Sequence, residues 1–234
     1  MLNSFFGLES IPLLWLQIGI VAVWISFILA IAWMVNRFAN PDPELTRKIV
    51  HIGTGNVILF AWWLDMPAYL GIAASILASA VTLLSFLLPI LPGINTVGRR
   101  SLGTFFYAIS IGVLVAWFWY LQQPQYAALG ILIMAWGDGF AALIGQRIGK
   151  HKYQVFGGDK SWEGSFTMLL VSYIVCSLIF LSIEGNIWQT WAVSAIVAVV
   201  ATALEAFSFL GIDNITVPIG SAALAFVLME IIGN

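Results

Sequence analysis

Charge is what this chain has least of. Asp, Glu, Lys and Arg make up 9% of its 234 residues, against roughly 25% in soluble domains, which excludes an ordinary water-soluble globule. A net charge of −2 excludes nucleic acid as a partner, so any attraction for phosphate has to be local. The single cysteine, Cys176, lies in an apolar run, so there is no disulfide framework and the thiol reads as buried and inert. No internal repeat or low-complexity tail stands out, and residues 1–234 read as one membrane domain. The first apolar run has no basic flank, follows Glu9 and exceeds the core of a signal peptide, so it is expected to be retained.

What the chain has in abundance is apolar length. Hydrophobic residues make up 61% of it and the mean hydropathy is +0.99. Continuous apolar runs predict transmembrane helices at 11–36, 48–64, 67–89, 103–121, 125–147, 164–183, 187–206 and 215–232, each fit to cross a hydrocarbon core of ~30 Å. His51, Gly53, Gly55 and Asn56 interrupt the second. The runs do not alternate, which argues against a transmembrane β-barrel. The expected fold is an all-α integral membrane protein, a polytopic bundle of about eight helices.

The basic residues then sort themselves. Arg37, Arg47 and Lys48 flank the first connection, Arg99 and Arg100 fall in the third, and Arg147, Lys150, Lys152 and Lys160 fall in the fifth. With eight spans, all nine lie on one side. The connections at 65–66, 122–124 and 184–186, and both termini, carry none. By the positive-inside rule the basic loops are expected in the cytoplasm and both termini outside.

The densest polar segment is 137–165, which holds four of the nine basic residues and three of the eleven acids among interleaved glycines. Gly137, Ala141, Gly145 and Gly149 recur every four residues, the spacing of close helix packing. Asp138 lies deep in the cytoplasmic half of the fifth span, where a carboxylate needs a basic side chain, a backbone donor or a metal. Asp159 or Ser161 can cap the sixth helix, and Glu163 suits its first turn. Lys160 fits poorly at that positive helix end unless an anion is also there. A helix N-terminus with a lysine and glycines makes a ready phosphate site.

Other polar groups gather on the same side. Arg47 and His51 share a helix face, so Arg47, Lys48 and His51 read equally as interfacial anchors with a hydrogen-bonded histidine, or as phosphate and acceptor contacts. Arg99 and Arg100 either fix topology or meet phosphate. Glu205, Asp213 and Asn214 form a further group, explicable as a turn or as a second metal or acceptor site. Anion-binding and cation-binding residues from four connections thus share one membrane surface, and phosphoryl transfer needs that pairing. A transporter would place its polar groups nearer mid-membrane, between repeats.

Taken together, Gly137-Asp138-Gly139-Phe140-Ala141 with Gly145 and Gly149, then Lys160-Ser161-Trp162-Glu163-Gly164-Ser165, resemble the CTP-binding signature of the polyprenol kinase family, which includes dolichol and phytol kinases and is related to phosphatidate cytidylyltransferases. Glu44 to His51, with its Arg47-Lys48-x-x-His51 element, resembles the phytol kinase branch, as does Glu205 followed by Asp213-Asn214 and Pro218. Gly157-Gly158-Asp159 departs from the proline- or asparagine-containing approach to the lysine seen in many relatives. The resemblance spans about residues 44–220. It implies a membrane kinase that moves the terminal phosphate of CTP, or a related nucleotide, to an isoprenoid alcohol. Within those matched segments the chemistry of the side chains leads us to expect Mg²⁺ on Asp138 with Asp213 or Glu205, phosphates on Lys160 with Arg147 or Lys152, and His51 or a carboxylate as proton acceptor. The nucleotide segment includes Gly137, Gly139, Gly145, Gly149, Ser161, Glu163 and Gly164. A cytidylyltransferase or a diacylglycerol kinase remains the alternative.

Overall fold

The computed structural model describes residues 13–38, 42–88, 102–155 and 158–232. Ten α-helices occupy nearly all of them. Helix α1 (Leu13–Phe38) is followed by α2 (Pro43–Gly55), α3 (Val57–Trp63), α4 (Ala68–Leu87) and α5 (Gly103–Tyr120). A central run comprises α6 (Pro124–Leu132), a π-helical turn (Ile133–Asp138) and α7 (Gly139–Ile148). Strands β1 (Lys152–Val155) and β2 (Gly158–Ser161) follow, then α8 (Trp162–Ile183), α9 (Trp188–Ala206) and α10 (Asp213–Ile232).

Seven helical stretches among the described residues are long and apolar enough to cross a membrane, counting 124–148 as one. The molecule is an all-α polytopic membrane protein, as expected. In hydrocarbon a helix is the way to satisfy every backbone polar group within one segment. The expected span at 48–64 is instead two shorter helices meeting at Asn56. The residues that interrupt it each have a local use. Gly53 abuts Ile28 of α1 and its carbonyl accepts from Trp24 Nε1 at 2.8 Å; Gly55 lies against Ala135; Asn56 Oδ1 accepts from Trp136 Nε1 at 3.0 Å. Helix α2 begins where Asp42 Oδ1 accepts from the Glu44 and Leu45 amides at 3.0 and 3.1 Å, with Pro43 in its first turn.

The hairpin departs from the expected loop between the fifth and sixth spans. Strands β1 and β2 pair antiparallel, Lys152 opposite Ser161 and Val155 opposite Gly158. Period-2 alternation turns Asp159 outward and Lys160 toward the bundle.

The core surrounds the run 124–148, the most buried of the crossing segments, which is wrapped by α5, α8 and α10. One end is aromatic: Tyr126 packs against Phe118, Phe226 and Phe180 with ring centroids 5.3–6.2 Å apart. Asp138 lies at the other end, about 18 Å along the axis at 1.5 Å per residue. Helices α1 and α4 turn Val23, Phe27 and Trp33, and Ile76, Leu77 and Leu84, outward, as acyl-chain contact requires.

Candidate active site

Asp138 ends the π-helical turn, and the extra residue in such a turn re-aims the side chains that follow. Its carboxylate faces α2. Lys48, 3% exposed, donates to Asp138 Oδ2 at 2.6 Å, and His51 Nε2 stands 3.6 Å from the same oxygen. That separation is beyond hydrogen-bond range. His51 Nε2 is buried and has no hydrogen-bond partner, a state that costs about 1–3 kcal/mol. The His51 ring lies 4.3 Å from that of Tyr107, whose hydroxyl donates to the His51 carbonyl at 2.9 Å.

A second pair sits nearby. Lys160 Nζ donates to Glu205 Oε1 and, at 3.1 Å, to the Glu205 carbonyl. Burial by itself would lower the pKa of Lys160, but the Glu205 carboxylate overrides it and, with smaller help from Asp213 and Asp138, raises the pKa above the ordinary lysine value. The anion that Lys160 needs at this helix end is therefore Glu205. Asp213 opens α10, its Oδ2 accepting from Ser208 Oγ at 3.1 Å and its Oδ1 from the Asn214 amide at 3.0 Å. The turn before it carries Leu210 and Gly211 at φ +54° and +87°, and Gly211 runs so close to the backbone of Gly103 that a Cβ would fall 2.7 Å from its Cα. A leucine in the left-handed region is uncommon; here it shapes the turn that delivers Asp213.

Other expected site residues serve the scaffold. Glu163 accepts from the Lys150 and His151 amides at 3.1 and 3.3 Å and meets His151 Nδ1 at 2.8 Å, which ties the hairpin to α8. Ser161 caps α8 by accepting from the Gly164 amide at 3.1 Å. Gly145, Gly149, Gly164 and Ser161 meet in one seam between α7 and α8, and a Cβ on Gly164 would sit 3.0 Å from the Ala141 carbonyl oxygen. Gly137 faces Met168 and Ser172, and Gly139 faces Ile52. Small-residue packing thus takes up this glycine face. Arg147 reaches Asp42 at 3.7 Å, Arg47 pairs with Glu44 at 2.6 Å, and Lys152 is exposed. Arg99 and Arg100 lie outside the described residues.

The structure therefore brings Lys48, His51 and Asp138 together, and Lys160, Glu205, Asp213 and Asn214 beside them. Tyr107, Thr54 and Ser208 were not anticipated; in the sequence they read as ordinary residues of spans and turns. Among the described residues no three His, Cys, Asp or Glu side chains form a metal centre on their own. The oxygen donors of Asp138, Glu205 and Asp213 nevertheless suit Mg²⁺, which takes one or two carboxylates and leaves further positions to phosphate and water.

A phytol kinase from Synechocystis is 50% identical over 214 residues, 91% of each chain. The chain belongs to the phytol kinase family. A probable chloroplastic phytol kinase 2 of Glycine max is 28% identical over 81% of this chain and 67% of its own length. The chloroplastic phytol kinase 1 of Arabidopsis thaliana is 26% identical over 78% of this chain and 66% of its own. No protein-family model matches the chain, and no solved structure does. Family membership agrees with the resemblance carried by residues 44–51, 137–165 and 205–218.

Proposed function

We propose that this protein is a membrane-embedded kinase that transfers the terminal phosphate of CTP, or a related nucleoside triphosphate, to the hydroxyl of an isoprenoid alcohol such as phytol. The observation that carries the reading is the buried, unpartnered His51 Nε2 beside the Lys48–Asp138 pair, in a member of the phytol kinase family. A buried imidazole nitrogen with an open lone pair suits an alcohol hydroxyl, which can donate to it.

In this reading the alcohol oxygen attacks the terminal phosphorus while its proton passes to His51 Nε2. The bond between that phosphorus and the bridging oxygen breaks, and the nucleoside diphosphate leaves. Lys160 and Lys48 release their carboxylates to hold phosphate oxygens. Asp138, Glu205 and Asp213 are then free to hold Mg²⁺, which when bound neutralises phosphate charge. Arg47, Arg99, Arg100 and Asn214 complete the phosphate and acceptor side, and the catalytic region extends over about residues 44–220. The tail lies among the apolar helices, so the bilayer does much of the acceptor binding.

The proposed topology has eight crossings, α2 and α3 together making the second, with both termini outside and the site at the cytoplasmic face of a bacterial or equivalent membrane. The segregation of all nine basic residues supports it.

The test uses purified protein in detergent and lipid with Mg²⁺ and CTP labelled on the γ-phosphate, offered phytol, dolichol, diacylglycerol and phosphatidate separately. Label in phytyl phosphate is the expected result. Label in diacylglycerol alone, or pyrophosphate release with phosphatidate, would replace the reading with one of its alternatives.

A further inference from the structure

Tyr107 belongs to none of the motifs that mark this site, yet it is buried against the residue that the proposed reaction depends on. It stands one turn after Gly103, the residue that abuts Gly211 ahead of Asp213. The first two turns of α5 therefore touch both halves of the site. The Tyr107 hydroxyl reaches α2 where Gly55 leaves room: a Cβ there would fall 3.0 Å from the phenolic oxygen. It donates to the His51 carbonyl at 2.9 Å and lies 3.4 Å from Thr54 Oγ1, which itself donates to the Val50 and His51 carbonyls at 2.7 and 3.2 Å. Two hydroxyls thus fasten the turn that carries His51.

The ring does a separate job. Its centroid is 4.3 Å from that of the imidazole, at 45°. Packed against that ring, the imidazole is held with Nε2 3.6 Å from Asp138 Oδ2, beyond the ~2.7–3.2 Å at which the two would hydrogen-bond. A small rotation would close that gap and occupy the nitrogen.

We infer that Tyr107 is a positioning residue for His51, holding the imidazole off Asp138 so that Nε2 stays open to the acceptor hydroxyl. The inference rests on the proposed role of His51 as proton acceptor. It separates the two parts of the tyrosine: the ring sets the orientation, and the hydroxyl anchors the helix turn.

Tyr107→Leu removes both and Tyr107→Phe removes the hydroxyl alone. Prenol phosphorylation is measured for each, with kcat and the nucleotide KM determined separately. The chain has two histidines, so histidine labelled with ¹⁵N in its ring gives two sets of signals, and His151→Gln assigns them. The expected result for Tyr107→Leu is a kcat lowered about 10-fold or more, an unchanged nucleotide KM, and a moved His51 ring signal. Tyr107→Phe should retain most of the signal position and more of the rate. A wild-type kcat in Tyr107→Leu, or a lowered kcat with the His51 signal unmoved, overturns the inference. Should Tyr107→Leu fail to fold, Tyr107→Phe decides: a larger displacement of the His51 ring than of its backbone amide contradicts the division of roles. His51→Asn is the control on the underlying reading. Full activity in that variant removes His51 as proton acceptor whatever Tyr107 does, whereas an inactive His51→Asn beside a fully active Tyr107→Leu removes only the positioning role.

Discussion

Lys48 and Asp138 are 90 residues apart in sequence and meet at 2.6 Å, the lysine buried on α2 and the carboxylate at the end of a π-helical turn. Breaking a buried pair by removing one partner leaves the other charge uncompensated, at a cost of about 3–5 kcal/mol.

The two single substitutions each leave one charge unpaired but differ in the hydrogen bond that remains. Lys48→Met strands the Asp138 carboxylate and is expected to lower thermal stability in detergent markedly. Asp138→Asn keeps an oxygen that can accept from Lys48, so its stability loss should be smaller while turnover is abolished. Circular-dichroism melting and the γ-phosphate transfer assay check both. Near-normal activity in Asp138→Asn would remove that residue from the metal site.

Lys160→Ala is expected to raise the apparent nucleotide KM by about 10-fold or more, about 1.4 kcal/mol of lost binding. The raised pKa of Lys160 also sets a pH expectation. A group whose pKa rises on folding makes its full contribution below its unfolded value, about 10.4 for lysine, and loses it only as pH passes the higher folded value. Nucleotide affinity should therefore stay flat from pH ~7 to ~9 as far as this residue is concerned. An unchanged KM in Lys160→Ala would contradict its phosphate role.

The glycine seam gives a steric prediction. A Cβ on Gly149 would press on the Gly145 carbonyl oxygen and lie 2.8 Å from Ser161 Cβ, whereas one on Gly137 would meet the Met168 sulfur at 2.6 Å. Backbone yields less readily than a thioether, which is soft and adaptable. Gly149→Ala should therefore cost more stability than Gly137→Ala, within the ~1–3 kcal/mol usual for overpacking. Equal melting temperatures would show that the seam has slack.

Topology is testable by thiol labelling, because the native Cys176 is fully buried. Glu184→Cys should react with an impermeant maleimide added outside the cell, and Lys152→Cys only after permeabilisation. The reverse pattern would invert the proposed orientation.

Much of this architecture was legible because it depends on apolar length. The seven continuous runs have observed ends within about two residues of those read from hydrophobicity, close to the usual uncertainty of helix ends. The second span was not legible in the same way, since Gly53, Gly55 and Asn56 interrupt it for reasons of packing against α1, α5 and Trp136. The hairpin at 152–161 is short and polar, and nothing in its composition distinguishes it from a loop. Site residues were legible as unexplained charge in an apolar chain; their partners were not. Lys160 required an anion, but its being Glu205, 45 residues on, depends on how α8 and α9 pack. Tyr107 gave no signal, because an aromatic residue in an apolar span ordinarily needs no special explanation.

The internal pairing of Lys160 with Glu205 and of Lys48 with Asp138 has a consequence for affinity. A ligand arriving at charges already neutralised by one another gains only the difference between the contacts it makes and those it displaces. Discrimination can then be sharp while binding stays moderate, because a ligand that replaces one partner but not the other leaves a buried charge alone. For a protein working at the edge of a bilayer, such an exchange also favours release: as the spent nucleotide departs, each lysine has its carboxylate to return to.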